Sequence, residues 1–150
     1  MQWKPNVTVA AIVENDGRFL LVEETEKDVV VFNQPAGHLE KDETLPEAVI
    51  REVMEETAWE FEPESLVGVY LYPNPRVDII YLRFCFAGKG IKEHAGCELD
   101  DGIIRAAWLT QTEIESQQDK MRSPMVLRCI NDYLSGKRYP LEMLHHYLEK

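Results

Sequence analysis

The sequence predicts an α/β fold, a mixed β-sheet covered by helices on both faces in an α/β/α sandwich. Three observations predict it. About six apolar, β-branched runs alternate with helical patterns, the first two runs are joined by a tight-turn signature, and no linker, repeat or low-complexity tract divides the 150 residues. The expectation is one domain spanning 1–150, large enough for a real core at 45% hydrophobic residues.

The elements follow in order. Residues 7–13 and 19–23 are strand-like and separated by Asn15, Asp16 and Gly17, the chemistry of a hairpin turn. Residues 29–32 form a short third strand, ended by Asn33-Gln34-Pro35-Ala36-Gly37, which reads as a loop because Pro35 and Gly37 interrupt regular structure. Thr44-Leu45-Pro46-Glu47 spells a capping box, so a helix starts at Leu45. On that helix Val49, Ile50, Val53 and Met54 share one arc, while Glu52, Glu55 and Glu56 share another. Further strands are expected at 66–71, 78–87 and 103–109, a short helix at 112–116, and a second long helix at 124–134 with Ser123 as its cap and Gly136 beyond its end.

Composition narrows the partners. Sixteen Lys plus Arg against 27 Asp plus Glu give a net charge of -11, which repels polyanions and argues against nucleic acid and acidic membranes. No 18 apolar residues run together and no apolar leader core is present, so neither membrane spanning nor secretion is expected. Cys85, Cys97 and Cys129 are widely spaced, which suits free, core-packed thiols in a reducing compartment. The expected location is cytoplasmic. Nothing such as a heptad demands a second chain, so a monomer is expected.

The acidic arc poses the functional question. Same-face carboxylates repel by about 0.2–0.5 kcal/mol per pair. One reading is a solvated face laced by Glu47–Arg51 and Arg51–Glu55 pairs. The other is a platform for a hard divalent cation such as Mg²⁺, which takes carboxylate oxygens together with substrate phosphates. The Pro/Gly loop before the helix favours the second, because turned loops and helix starts bring backbone groups to anions.

The stretch "GHLEKDETLPEAVIREVMEETAW", from Gly37 to Trp59, resembles the Nudix box. Gly37, Glu43, Arg51, Glu52, Val53, Glu55, Glu56 and Trp59 meet its spacing, and only Ala58 departs, standing where the family has glycine. The resemblance implies the Nudix fold and Mg²⁺- or Mn²⁺-dependent hydrolysis of a small diphosphate joined to another group. It implies Glu52, Glu55 and Glu56 as metal ligands or bases, the Gly37 carbonyl as a further ligand, and Glu43 with Arg51 as a brace between loop and helix. Residues 7–10, "NQPAGHLE", "LRFCFA", "RSP" and "SGKRYPLEM" extend the likeness to the NudJ phosphatase subgroup. That implies release of phosphate from nucleoside tri- and diphosphates, hydroxymethylpyrimidine diphosphate and thiamine diphosphate.

Two rivals stay open. One is a nucleotide pyrophosphohydrolase acting on nucleoside triphosphates, ADP-ribose or dinucleoside polyphosphates. The other is a silent ligand-binding domain, which the retained glutamates argue against.

Outside the box, "CELDDG" supplies Asp101 and Glu98 as candidates for an additional general base, in competition with Glu55 and Glu56. Arg83 and Arg122 are candidates to meet phosphates. Trp3, Phe32, Tyr70 and Tyr72 could stack a base, with Phe32 preferred because it ends a strand at the motif loop. His38, His145 and His146 are read as turn or surface residues, and Trp59 and Trp108 as core anchors. Because Ala58 lacks the freedom of glycine, the helix is expected to end in right-handed geometry.

Overall fold

Asp16 and Gly17 take φ of 52° and 79° and close the hairpin between β1 (Asn6–Asn15) and β2 (Arg18–Glu26). The computed structural model describes residues 1–75 and 77–148. Beyond the hairpin come β3 (Val29–Asn33), β4 (Ala36–His38), α1 (Leu45–Thr57), β5 (Trp59–Asn74), β6 (Ile79–Glu93), β7 (Ile103–Thr110), α2 (Gln111–Ser116) and α3 (Met125–Leu134). Single turns of 3₁₀ helix stand at Gln118–Lys120 and Leu141–Met143.

The sheet runs β3-β2-β1-β6-β5, with β7 paired to β2 and β4 to β1. It is mixed, because β1 runs parallel to β6 and antiparallel to β2 and β4. The two edges of β1 are used unevenly. Thr8, Val9 and Ala10 pair with β4, whereas only Glu14 and Asn15 pair with β2, so one margin of β1 is handed from one partner to the other.

Alternation along β1 builds two cores. Val9, Ala11 and Val13 face the α1 side and pack with Ala48, Val49, Val53 and Phe86. Ala10 and Ile12 face the other side and pack with Cys85, Val126, Cys129 and Ile130. The sheet therefore lies between α1 and α3, the layered α/β/α architecture expected from the sequence. Cys85 and Cys129 are buried free thiols, but Cys97 is exposed, contrary to the core position expected for it.

Several elements differ from the sequence reading. The loop 33–37 contains a real strand: residues 36–38 pair with β1, and the Pro35 carbonyl accepts the Ala11 amide at 3.0 Å. β5 starts at Trp59 rather than 66, and runs through Pro63 and three glutamates. It can do so because it is the outermost strand of its side of the sheet and its register slips at three places. The C-terminal segment covers part of its free margin, where Leu66 and Tyr139 exchange backbone hydrogen bonds of 2.9 and 2.8 Å. α3 begins at Met125 with Pro124 in the cap position, and Ser123 Oγ accepts the Met125 amide at 3.2 Å.

Ala58 overturns the expectation of a right-handed end. Its φ and ψ are 63° and 18°, in the left-handed region. The chain must reverse from α1 into β5 within one residue. Hydrogen bonds from the Ala58 amide to Met54 O (2.9 Å) and from the His94 amide to Ala58 O (2.8 Å) hold it against a strain of about 1–2 kcal/mol.

Candidate active site

The capping box fixes where α1 begins. Glu47 N donates to Thr44 Oγ1 at 3.2 Å and Thr44 N donates to Glu47 Oε1 at 2.8 Å. From that start the register of the helix carries Glu52 and Glu56 inward, where they are only 7% and 9% exposed, with Glu55 half-buried beside them. Gly37 in β4 makes the room: a Cβ there would collide with the Glu52 carboxyl.

Arg51 gathers this motif. Its Nε and Nη2 donate to the two oxygens of Glu43 at 2.7 and 3.0 Å, a two-pronged grip. Nη2 also donates to His38 O at 3.0 Å, and Nη1 reaches Glu52 at 2.7 Å and Glu55 at 3.2 Å. Glu43 in turn accepts the Glu40 amide at 2.9 Å, so one guanidinium ties the loop, β4 and α1 together. The Arg51 hydrogen bonds hold the Glu43 carboxyl below its ordinary range.

The inward carboxyls behave oppositely. Burial raises the pKa of Glu52 and Glu55 while Arg51 pulls each of them down. Glu56 is pushed up to about 8 by burial, against the lowering effect of the Ala36 amide that donates to its Oε1 at 2.9 Å. Crowded acids of this kind hold their charge when a cation joins them.

Asp100 completes the cluster. Glu52, Glu55 and Asp100 each offer a carboxylate oxygen, all within 4.8 Å of one another. Three hard oxygens with this spacing fit an ion such as Mg²⁺ or Mn²⁺. Asp101 and Glu98, the candidates read from this loop, do not line the cleft; Asp100, exposed as they are, does. What selects Asp100 is its own amide, which donates to Glu55 O at 3.0 Å.

These carboxylates line a cleft of about 510 Å³ that Arg83, Arg122, Tyr72 and Tyr81 also line. Arg122 is held by Glu24 at 2.6 Å and Glu26 at 3.4 Å; burial works against its charge, and the two carboxylates outweigh it and raise its pKa. Phe32 is not available to stack a ligand. It is 4% exposed within the α3-side core, bridged to Met121 and covered by the chain that Arg122 N ties to Phe32 O at 2.8 Å. Trp3 is exposed and Tyr70 donates its hydroxyl to Asp132 at 2.7 Å, which leaves Tyr72 as the one of the four aromatic candidates that lines the cleft. Trp59 and Trp108 meet edge to face at 5.4 Å beside the α1-side core.

The NUDIX domain model matches residues 3–128. The chain belongs to the Nudix family. It is a Nudix hydrolase acting on phosphoric anhydrides. The curated phosphatase NudJ of Escherichia coli K12 is 43% identical over 145 residues, which cover 95% of this chain and 92% of that protein. A Nudix hydrolase structure from Nitrosomonas europaea superposes with a TM-score of 0.95 at 48% identity, covering 96% of this chain and 98% of that one. A bifunctional NMN adenylyltransferase/ADP-ribose pyrophosphatase from Francisella tularensis, complexed with AMP and a manganese ion, shares the Nudix fold. Its TM-score is 0.72 at 22% identity, over 88% of this chain and 42% of that one.

Proposed function

We propose that this Nudix hydrolase is a Mg²⁺-dependent phosphatase of nucleoside tri- and diphosphates and of hydroxymethylpyrimidine or thiamine diphosphate, releasing inorganic phosphate. The carboxylate cluster of Glu52, Glu55 and Asp100 inside a cleft that also carries arginines supports the reading best. The likeness to NudJ, named a phosphatase, supports the product.

Glu52, Glu55 and Asp100 would hold the metal, with Glu56 and the Gly37 carbonyl beside them, and Mn²⁺ would serve in place of Mg²⁺. A bound divalent ion supplies charge neutralisation at phosphate oxygens and makes a water more acidic. Arg51 and Glu43 set the cluster by fixing where Glu52 and Glu55 stand. Glu55 and Glu56 compete with Asp100 for the role of proton acceptor from the attacking water; a nearby cation would counter the burial that raises Glu55 and Glu56 and favour their charged forms. Arg83 and Arg122 would face the phosphates. In the same reading the chain works as one domain and as a monomer in the cytoplasm, where its three cysteines remain free thiols.

The test incubates the purified protein with Mg²⁺ and GTP, GDP, hydroxymethylpyrimidine diphosphate or thiamine diphosphate and identifies the products, with Glu56→Gln as control. Orthophosphate from the wild type alone supports the reading. Pyrophosphate with nucleoside monophosphate would replace it by the pyrophosphohydrolase alternative, and no product from any of them would sink it.

A further inference from the structure

Three described arginines line the cleft, and they differ in how their charge is met. Arg51 is spent on Glu43, Glu52 and Glu55, and Arg122 on Glu24 and Glu26. Arg83 is only 8% exposed, yet no carboxylate among the described residues lies within 4.0 Å of it. Its Nη2 donates to Gln34 Oε1, while its Nε is buried with no hydrogen-bond partner among the described residues. The Cys129 thiol also lies close to it, and Cys85 and then the Arg83 charge draw that thiol's pKa down to about 7.

Gln34 is built for this contact. Its side chain is 1% exposed and uses both ends: Oε1 receives Arg83, and Nε2 donates to Val126 O in the first turn of α3 at 2.8 Å. One amide thus ties the guanidinium to the start of α3. A buried arginine kept only for packing gains most from a carboxylate partner, because an unmatched buried charge is strongly disfavoured. An amide of the same length holds the group in place and leaves its charge unspent.

We propose that Arg83 is a preorganised seat for a phosphate of the diphosphate substrate, and that Gln34 is the positioning residue that fixes this cation without neutralising it. The inference rests on the phosphohydrolase reading and adds to it the residue, Gln34, that holds Arg83 ready in a cleft otherwise rich in carboxylates. Glutamine is essential in this role because glutamate would fill the seat from within.

The test compares wild type, Gln34→Glu, Gln34→Met and Arg83→Gln. Binding of methylene diphosphonate, a diphosphate that cannot be hydrolysed, to the Mg²⁺-loaded protein is measured by calorimetry, and KM and kcat are measured on GTP. Gln34→Glu is expected to weaken binding and raise KM on the order of tenfold, with a smaller change in kcat, the size set by losing one charged hydrogen-bonding partner. Its melting temperature is read beside that of Gln34→Met, because both variants lose the donor to Val126 O and only Gln34→Glu gains an ion pair with Arg83. Gln34→Met, which frees the guanidinium but leaves its charge, should weaken binding less than Arg83→Gln. A folded Gln34→Glu that binds the diphosphonate as tightly as wild type would overturn the seat, as would a wild type that does not bind it. If the wild type hydrolyses nothing yet Gln34→Glu loses binding, the seat stands and the hydrolytic reading falls.

Discussion

The Asp100 amide donates to the Glu55 carbonyl at 3.0 Å, so a backbone bond fastens the loop before β7 to the end of α1. That bond satisfies one of the carbonyls a helix leaves open at its C-terminus and delivers the Asp100 carboxylate to Glu52 and Glu55. Asp100→Asn should therefore lower kcat with Mg²⁺ by on the order of a hundredfold. Asp101→Asn should leave it within about twofold, since ordinary surface changes are small. Steady-state rates of the two variants check this, and a loss in Asp101→Asn as large as in Asp100→Asn would show that Asp100 is not the aspartate singled out by the cluster.

Glu43 and Arg51 form a bidentate pair with both side chains mostly shielded, at 13% and 21% exposure. Glu43→Gln should destabilise the fold by roughly 1.5–3 kcal/mol, the range for hydrogen bonds to charged groups. Glu40, 65% exposed and 3.6 Å from the same arginine, should matter by less than about 0.5 kcal/mol when changed to Gln. Urea unfolding of the two variants separates them.

Ala58 holds a left-handed conformation that glycine adopts without strain. Ala58→Gly should raise stability by up to about 1 kcal/mol, the relieved strain being reduced by the greater freedom of glycine in the unfolded chain. A lower denaturation midpoint would show that the buried methyl contributes more than the backbone costs.

Glu56 carries a pH signature. Its ordinary value is 4.5 and burial lifts it to about 8, so the folded protein binds this proton more tightly than the unfolded chain. The stability this proton lends is complete below pH about 4.5 and lost as the pH rises through about 8. In metal-free protein the melting temperature should fall between pH about 4.5 and about 8. Glu56→Gln, uncharged throughout, should flatten that slope. An identical slope in the variant would place the proton elsewhere.

Much of the framework can be read from local chemistry. Thr44 and Glu47 announce the start of α1 because a capping box is complete within four residues, and the spacing of Glu52, Glu55 and Glu56 fixes which side of that helix is acidic. The rest depends on contacts distant in the chain. Phe32 is buried because the segment around Met121 closes over it, and Asp100 rather than Asp101 enters the cluster because of one amide bond to α1. Ala58 shows the same thing at the backbone, where the path into β5 overrides residue preference. Gln34 sits inside what reads as a simple loop, and nothing in its neighbours announces a tie to Val126, 92 positions away.

The two hydrogen bonds between Leu66 and Tyr139 bear on how the protein behaves in a crowded solution. β5 is the long outer margin of its side of the sheet, with Val69 and Leu71 exposed along it. A bare margin of that kind is a template on which further copies can stack into fibrous aggregates. The strip after α3 sits on that template and occupies its hydrogen-bonding groups at Leu66. That strip thus shields the Leu66 stretch of the margin, and shortening the chain before Tyr139 is expected to raise edge-to-edge association, read by light scattering over time.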